Sequence, residues 1–327
     1  MSRTYNFNVS NVGIKLERCM VWSIVRSPSS THINSHIAAS VVNGLLSVLG
    51  TVLNLLVVYI FLKSPKLRSR VPYFGIMVVS SVDLGVVTIV QPLFIILLLK
   101  DVQETSNCFY FITYTTVAFL FATMSTASLV TINIERYFSI VRPIFHRNTI
   151  TKKRLLLIFG FVWFVGLSTY VPWFSTSNLA WIGTAVFIFL ICGTSFSVYL
   201  SIFLVARKKL RSIHLPSDTR SVQVTLAKFM AFKRELMIAK MYVLIVLLSF
   251  CCYLPFGVVL VHEFVDRNNE WTDESRSGII AWTLTLLYMN STLNSLVFFW
   301  TNRKLRKEGV NIVRKSFKLQ ETVDKMD

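Results

Sequence analysis

The sequence predicts an all-α membrane protein whose seven transmembrane helices form one bundle. Three observations support this prediction: the chain is strongly apolar, seven long runs are almost free of charge, and the basic residues concentrate in alternate connections. Apolar residues make up 54% of the 327 residues, and charged residues make up only 15%. Soluble globular domains carry about 25% charged residues. The composition therefore favours lipid over water as the surrounding medium.

The seven weakly charged runs are each long enough to cross a bilayer as a helix. A helix rises 1.5 Å per residue, so about 20 residues span a hydrocarbon core of about 30 Å. Lipid offers no hydrogen-bond partners to the backbone, and such segments are therefore expected to be helical. The predicted spans are 37–62, 71–99, 108–134, 155–174, 179–206, 236–261 and 278–300.

Segments rich in Lys and Arg alternate along the chain with segments that are poor in them. The rich segments contain four, six, eight and eight basic residues and are 63–70, 135–154, 207–235 and 301–327. The poor segments contain four, one, none and two and are 1–36, 100–107, 175–178 and 262–277. The positive-inside rule then predicts an outside N-terminus and a cytoplasmic C-terminus. The net charge of +18 suits anionic membrane lipids as partners, and no separate basic domain suggests nucleic acid.

We expect three parts: an extracellular N-terminal tail at 1–36, the seven-helix domain at 37–300, and an amphipathic eighth helix with a cytoplasmic tail at 301–327. No apolar signal-peptide region precedes the first span, so that span is expected to act as its own signal anchor. Asn8 begins an N-x-S sequon on the predicted outer side, which predicts glycosylation there. Within the eighth helix, the residues expected to face the membrane are Leu305, Ile312 and Val313.

The distribution of His, Lys and Cys argues against an enzyme. The histidines, all expected in loops or tails, are His32, His36, His146, His214 and His262. No span is expected to contain a cluster of His, Asp and Glu at helical spacing that would hold a catalytic metal. The last span has no Lys for a Schiff base, and the five cysteines show no metal-binding spacing. We therefore expect no catalytic residue and no cofactor, with Na⁺ as the one ion to consider.

Asp83 is an acidic residue deep in the second predicted span. A charged side chain at the bilayer centre costs about 2.5–3.5 kcal/mol, so Asp83 is expected to face the interior of the bundle. One interpretation is a protonated acid hydrogen-bonded to a neighbour. The other is a switchable polar network that coordinates Na⁺ through oxygen atoms, with partners from the first, third and seventh spans: Asn54, Ser125, Asn290, Ser291 and Asn294.

A second polar group is expected at the cytoplasmic ends of the third and sixth spans. The third span ends in Glu135, Arg136 and Tyr137, and Glu235 precedes the sixth. An Arg at a membrane boundary favours bidentate pairing with a carboxylate, and Glu135 and Glu235 are both candidates. Because Arg136 ends a long uncharged run, we expect a half-buried pair whose opening is coupled to helix movement.

In order and spacing, these residues resemble the landmarks of the rhodopsin-like (class A) G-protein-coupled receptors. The resemblance extends from residue 37 to about 315, and its ordered set of motifs is specific although each motif alone is weak. Its landmarks are Asn54, Asp83, Glu135-Arg136-Tyr137, Trp163, Tyr199, Cys252-Tyr253-Leu254-Pro255 and, more loosely, Asn294-Ser295-Leu296-Val297-Phe298. The stretch 197–207 and the short connection 175–178 look like the melanocortin–cannabinoid–adenosine branch of that family.

The resemblance implies a plasma-membrane receptor that binds an extracellular ligand and activates a heterotrimeric G protein. It implies that Arg136 contacts the G protein, that Glu235 holds an inactive-state lock, and that Tyr199 rearranges on activation. The family's sodium-sensitive network would comprise Asp83, Ser125, Asn290 and Asn294.

Several positions depart from the family pattern. The sixth-span Trp is Tyr253, the sixth-span core Phe is Ser249, and the seventh-span Pro and Tyr are Ser295 and Phe298. These changes put the usual activation relay in question. Two alternatives stay open. One is a seven-helix transporter or channel, which needs a polar pathway of which Asp83 alone provides little. The other is a receptor-like protein that no longer signals.

The family's third-span cysteine corresponds to Cys108, and its usual partner in the second outer connection is absent. Cys19 is the only other cysteine predicted to lie outside. The alternatives are a Cys19–Cys108 disulfide, which an oxidising exterior would favour, and two free thiols.

The resemblance places the ligand pocket among apolar and aromatic positions of the third, sixth and seventh spans. These positions are Ala118, where amine receptors carry an acid, together with Phe119, Ala122, Tyr253, Phe256, Leu284 and Tyr288. An apolar stripe at helical spacing is more often helix packing than a pocket. As a pocket it favours an apolar or aromatic ligand. The acidic residues of 262–277 offer the alternatives of a rim that attracts a basic peptide or a solvated loop.

Overall fold

The computed structural model of the chain describes residues 25, 27–105, 108–168, 193–198, 200–205, 207, 229–230, 243–262 and 272–323. Of these, the side chains of Cys108, Val313 and 315–323 lie outside the description. The helices are α1 Ser30–Lys63, α2 Pro65–Arg68, α3 Val71–Gly85, α4 Gln91–Val102, α5 Cys108–Val141, α6 Pro143–Thr149, α7 Lys152–Ser168, α8 Gly193–Val205, α9 Val243–His262, α10 Asp273–Thr301 and α11 Arg303–Val323. A π-helical turn at Val86–Val90 joins α3 to α4. These ranges contain no β-strand.

Helical residues occupy every one of the seven predicted spans, as the sequence predicts. Within the described ranges, four helical segments are long and apolar enough to cross a membrane: Ser30–Lys63, Val71–Val102, Phe109–Val141 and Val243–His262. Helices α7 and α8 cover the described parts of the fourth and fifth spans, and α10 covers the seventh. The all-α prediction is thus confirmed over the described ranges.

Helix α1 has the reverse of the pattern of a helix in a soluble protein. Its buried face is polar and includes Ser40, Asn43 and Asn54. Its exposed face is an apolar stripe with residues three or four apart: Val41, Leu45, Val48, Val52, Leu55, Tyr59 and Leu62. In lipid, exposed apolar side chains cost nothing, and polar side chains between helices supply specific contacts. This arrangement is that of a transmembrane helix.

Helices α1 and α10 are parallel neighbours, because their contacts advance together along both helices. Asn43 donates a 2.8 Å hydrogen bond to the Thr285 hydroxyl, and further along Asn54 donates to the Ser291 carbonyl oxygen. A chain that crosses a membrane seven times must make its first and last crossings in the same direction, and α1 and α10 are those crossings. We call the end of the bundle at the start of α1 and α10 its N-terminal end, and the opposite end, next to α11, its C-terminal end.

Serine and threonine caps fix the starts of α1 and α10. The Ser29 hydroxyl accepts from the His32 backbone N–H at 3.2 Å, and the Thr272 hydroxyl accepts from the Ser275 N–H at 3.3 Å. Such caps satisfy backbone donors that the first turn leaves unpaired. Ser29 also donates through its N–H and its hydroxyl to the carboxylate of Glu274, at 2.8 and 2.6 Å. The first helix therefore begins at Ser30, before the predicted start of the span at 37.

Gly50 permits the close approach of α1 to α10 and to the π-helical turn. A Cβ atom at Gly50 would lie 2.6 Å from the Thr292 Oγ1 and 2.6 Å from the Val87 Cγ1. Neither neighbour can withdraw easily, since both belong to packed helices. Only glycine, which has no Cβ, fits at this position without displacing its neighbours.

Helix α11 packs against the C-terminal end of the bundle. Leu305 is buried with 1% exposure in the same apolar cluster as Ile60, and Ile312 packs against that cluster. The Ser64 hydroxyl donates to the Glu308 carboxylate at 3.0 Å. The predicted eighth helix is confirmed, but the prediction that Leu305 faces the membrane is wrong, because the bundle buries this side chain.

Candidate functional site

Asp83 is fully buried and bridges α5 and α10. Its Oδ1 accepts a 2.6 Å hydrogen bond from the Ser125 hydroxyl, and its Oδ2 accepts a 3.0 Å bond from Nδ2 of Asn294. Two donors from two other helices satisfy the carboxylate, as a buried polar group requires. The sequence predicted these three residues as neighbours, and the structure brings them together.

The other members of the predicted network lie beside this centre and make contacts of their own. Asn54 donates to the carbonyl oxygens of Gly50 at 2.9 Å and Ser291 at 3.3 Å, and its Oδ1 accepts from the Ser295 hydroxyl. Ser295 occupies the position at which the family pattern has a proline, so the departure adds a link between α1 and α10.

Asn290 connects α10 to α9. Its Oδ1 accepts a 2.8 Å hydrogen bond from the Ser249 hydroxyl. Ser249 stands where the family pattern has a core phenylalanine, so a polar contact replaces apolar packing at this position. Sequence reasoning noted the loss of the aromatic ring but did not predict the hydrogen bond that replaces it.

Arg136 and Glu135 form a buried bidentate pair near the end of α5. Arg136 Nε lies 2.5 Å from one carboxylate oxygen of Glu135, and a terminal guanidinium nitrogen lies 2.5 Å from the other. The side-chain exposures are 0% for Arg136 and 3% for Glu135. Bidentate geometry gives such charged hydrogen bonds strength and directional specificity. The predicted pairing of Arg136 with Glu135 is present, and the pair is more deeply buried than predicted.

His146 is a third member of this group that sequence reasoning missed. It lies in α6, and its Nε2 is 2.6 Å from Glu135 Oε1. No pattern in the sequence links the two residues, because Pro143 starts a new helix between them. Tyr137, also predicted for this site, is half-buried and packs edge-on against Phe138.

Several predicted site residues fall outside the described part of the chain. These are Glu235 and Tyr199 of the predicted lock and relay, Cys19 of the predicted disulfide, and Asn8 of the sequon. The backbone of Cys108 begins α5, and its side chain is not described. The roles of these five residues stay predictions.

Six of the seven predicted pocket residues lie in one apolar cluster near the N-terminal end. Ala118 and Tyr288 are buried in it, and Ala122, Tyr253, Phe256 and Leu284 pack against it. Phe119 is not among its members. One residue along a helix turns the side chain by about 100°, so a face that includes positions 118 and 122 leaves position 119 to the side.

Tyrosine hydroxyls give this apolar cluster polar contacts. Tyr114 and Tyr288 share a hydrogen bond, and the ring of Phe94 lies 5.4 Å from that of Tyr114 and 5.5 Å from that of Tyr288. The Tyr253 hydroxyl lies 2.7 Å from that of Thr126. Sequence reasoning missed Tyr114, Phe94 and Thr126, although a tyrosine four residues before Ala118 shares its helical face.

Three titratable side chains meet at the N-terminal end of the bundle. His32 Nε2 lies 3.2 Å from Asp101 Oδ2, and His36 Nε2 lies 3.3 Å from the same oxygen. All three residues are buried. The prediction that the five histidines lie in loops or tails is wrong for His32 and His36, which belong to α1, and for His262, the last residue of α9. His32 and His36 also form a cluster with an acid. The reason is the early start of α1, which brings both rings beside α4.

The sequence also matches the family model described as 7 transmembrane receptor (rhodopsin family), over residues 53–298. That match begins in α1 just before Asn54 and ends at Phe298, near the end of α10, and it includes both Asp83 and Arg136. The chain belongs to the rhodopsin family of seven-transmembrane receptors. It is a G-protein-coupled receptor, and its fold is the seven-helix bundle that the sequence predicted.

Relatives of this receptor differ in the ligands for which they are named. It is 26% identical over 285 residues to cannabinoid receptor type 1B of Takifugu rubripes, covering 79% of this chain and 59% of the relative. It is 23% identical over 319 residues to adenosine receptor A3 of Canis lupus familiaris, covering 90% of this chain and 95% of the relative. It is 26% identical over 318 residues to neuromedin-U receptor 2 of Mus musculus, covering 85% and 76%. The chain thus spans less than two thirds of the length of the cannabinoid receptor.

Family membership argues against one of the two alternatives that the sequence left open. The seven-helix transporter or channel is disfavoured, because the matched model is that of a receptor family. The resemblance of the motifs to class A receptors is confirmed.

Proposed function

We propose that this receptor lies in the plasma membrane with its N-terminus outside, binds an extracellular ligand at the N-terminal end of the bundle, and activates a heterotrimeric G protein at the C-terminal end. The single observation that carries this proposal is the buried Glu135–Arg136 pair at the end of α5 in a chain of this family. The concentration of Lys and Arg in alternate connections supports the orientation.

The burial of Arg136 suggests how the receptor could be switched. A guanidinium with 0% exposure cannot touch a partner protein until the helices around it move. Removing one member of a buried ion pair costs more than separating an exposed pair, because a charge is left without its partner. Opening the C-terminal end would expose Arg136 to the G protein. Glu235 is the proposed second restraint on it, and Tyr199 the proposed side chain that rearranges.

The polar centre at Asp83 is the proposed link between the two ends. Asp83 contacts residues of α5 and α10, and Asn290 connects α10 to α9 through Ser249. A Na⁺ ion coordinated by Asp83, Ser125, Asn290 and Asn294 would favour the packing that keeps these oxygen atoms together. No other cofactor is proposed.

The ligand is proposed to be apolar or aromatic. The cluster around Tyr288 combines apolar side chains with a few tyrosine hydroxyls, which is the usual composition of a small-molecule site. Ala118 leaves an amine ligand without an acidic partner at that position. The acidic rim is the weaker alternative, because Glu274 already accepts two hydrogen bonds from Ser29.

A nucleotide-exchange assay tests the proposed activity. The full chain is expressed in cells with each class of G protein, and exchange is measured at rest and with a library of apolar and aromatic ligands. We expect exchange with at least one class, and we expect Arg136→Ala to lower it by about tenfold or more, a loss within the usual range of coupling energies. Lack of exchange under every condition, in a chain that reaches the surface, would favour a receptor-like protein that no longer signals.

Epitope tags test the proposed orientation separately. A tag at the N-terminus should be stained on intact cells, and a tag at the C-terminus should be stained only after permeabilisation. The reverse staining would contradict both the orientation and the proposed positions of ligand and G protein.

A further inference from the structure

The group formed by His32, His36 and Asp101 lies at the N-terminal end of the bundle, away from both Asp83 and Arg136. The two histidines are one helical turn apart on α1, and their ring centroids are 4.0 Å apart. Asp101 comes from the end of α4, and Ser277 comes from the first turns of α10. The exposures are 4% for His32, 0% for His36, 0% for Asp101 and 3% for Ser277. Three helices thus bury two imidazoles against one carboxylate.

The hydrogen bonds of His36 determine which of its ring nitrogens carries the proton. Its Nδ1 lies 3.2 Å from the His32 carbonyl oxygen, which can only accept, so Nδ1 must donate. In the neutral ring, Nε2 then carries a lone pair. That lone pair faces Asp101 Oδ2 at 3.3 Å and the Ser277 hydroxyl at 3.1 Å.

Two lone pairs at this distance repel unless a cation lies between them. Ser277 has a single hydroxyl proton, which can serve either Nε2 of His36 or the carboxylate of Asp101, 3.4 Å away, but not both at once. A proton on the cluster or a metal ion would remove the repulsion. Histidines bound to metals are commonly oriented by a hydrogen bond from their other ring nitrogen to a backbone carbonyl. The bond from His36 Nδ1 to the His32 carbonyl oxygen is of this kind.

We propose that His32, His36 and Asp101 form a binding site for Zn²⁺ that joins α1, α4 and α10. The three potential ligand atoms all lie within 4.8 Å of one another. In a tetrahedral zinc site with bonds of 2.0–2.2 Å, ligand atoms are about 3.3–3.6 Å apart. The observed separations of 3.2 and 3.3 Å between the imidazole nitrogens and Asp101 Oδ2 lie near the short end of that range.

The ligand set selects Zn²⁺ over the common hard cations. Mg²⁺ and Ca²⁺ bind six or more oxygen atoms, whereas this cluster offers two imidazole nitrogens and one carboxylate. Two histidines and one carboxylate are a set found in zinc sites that keep a fourth position for water or another ligand. The hydroxyl of Ser277, next to His36 Nε2 and Asp101 Oδ2, lies where it can hydrogen-bond to a water in that position.

The bound ion would stabilise the packing of the three helices at this end. It binds the folded bundle and not the separated helices, so it stabilises the fold in proportion to its occupancy. Access of extracellular Zn²⁺ to the site rests on the orientation proposed above. The binding itself does not, because both ends of the bundle are accessible in detergent.

The test is thermal unfolding of the purified, detergent-solubilised full chain during titration with ZnCl₂, together with its zinc content by mass spectrometry. At about one hundred times the dissociation constant, we expect an increase of about 5 °C in the melting temperature. We expect one zinc per chain, and no shift with Mg²⁺ at the same concentration. Co²⁺ in place of Zn²⁺ should give the visible absorption bands of a four-coordinate site.

His36→Gln and His32→Asn should each abolish the shift, and His262→Gln, which removes a histidine on α9, should leave it intact. His36→Cys retains a ligand for zinc and should keep part of the shift, which guards against the case in which His36→Gln fails to fold. A parent chain that binds no Zn²⁺ overturns the proposal. So does binding that survives both His36→Gln and His32→Asn. A melting temperature that depends on pH between about 5 and 7 but not on Zn²⁺ would identify a proton as the cation instead.

Discussion

Nε2 of His146 lies 2.6 Å from Oε1 of Glu135, so α6 is attached to the carboxylate that holds Arg136. Glu135 therefore serves two partners, and its two oxygens receive the Arg136 guanidinium and the His146 ring. The pair expected from the sequence is in fact a group of three. Its third member lies on the connection after α5, a segment that a docking protein at this end would contact.

Replacing His146 should weaken the closed arrangement of this end. His146→Ala removes one partner of Glu135 and with it a side-chain contact between α6 and α5, so we expect Arg136 to be released more readily. We expect basal nucleotide exchange to rise by about two- to tenfold, which corresponds to about 0.4–1.4 kcal/mol. Arg147→Ala is the matched control, since Arg147 is an exposed cation on the same helix. Equal exchange in the parent and both variants would show that His146 is only a packing residue.

The proposed lock by Glu235 predicts a separate effect. Glu235→Ala should raise basal exchange, because it removes an acid that restrains Arg136 from the sixth span. Glu235→Asp keeps the charge and should raise exchange less. Combining Glu235→Ala with His146→Ala gives a double-mutant cycle, in which a non-additive effect is expected if both residues act through Arg136. Parental exchange in a well-expressed Glu235→Ala variant contradicts a switching role for this residue.

Gly50 provides a test of the packing between α1 and α10. Gly50→Ala would place a Cβ 2.6 Å from both Thr292 Oγ1 and Val87 Cγ1, so the helices must separate. Overpacking of this kind costs about 1–3 kcal/mol, and we expect a lower melting temperature and less protein at the surface. Gly160→Ala is the control, because nothing lies within 4 Å of a Cβ at Gly160. Unchanged melting of the Gly50 variant would show that α1 has room to move.

The sequence predicted the helices well because lipid imposes a single rule on them. A span must be helical and nearly uncharged, so the runs free of charge locate α1, α5 and α9 without any knowledge of packing. The same rule predicted the neighbours of Asp83. A buried acid needs donors, and Ser125 and Asn294 were polar residues available on other spans.

The sequence could not predict the contacts at the ends of the bundle. His32 and His36 precede the uncharged run, and Asp101 follows a lysine, so all three were assigned to polar connections. They are buried because the ends of α1, α4 and α10 pack around them. The hydropathy of a single chain segment does not record such contacts between helices. Ser29 is a preferred helix-capping residue, and its position was the one local signal that α1 begins early.

The charge of Asp83 distinguishes a sodium site from a purely structural acid. Asp83→Asn keeps a side chain of the same size between Ser125 and Asn294. The amide oxygen of the variant can still accept from the Ser125 hydroxyl. The amide can also pair with Asn294: either its oxygen accepts from Nδ2 of Asn294, or its NH₂ group donates to Asn294 after the Asn294 amide flips. The variant is therefore expected to fold and reach the surface. What it loses is the negative charge that would hold a cation.

Raising Na⁺ should lower basal or agonist-driven exchange by a modest factor in the parent receptor, and Asp83→Asn should remove that dependence. A cation shifts the balance of two states only by the difference between its affinities for them, so a decrease of about two- to tenfold is the expected size.

Ser125→Ala removes one oxygen ligand and should shift the response to higher Na⁺ without abolishing it. Ser81→Ala changes an exposed serine on α3 and should respond like the parent. The measurement replaces NaCl with choline chloride at constant ionic strength, because Debye screening is then unchanged. A protonated Asp83 that only donates a hydrogen bond predicts the opposite outcome, which is indifference to Na⁺ in a parent receptor that signals normally and in Asp83→Asn alike.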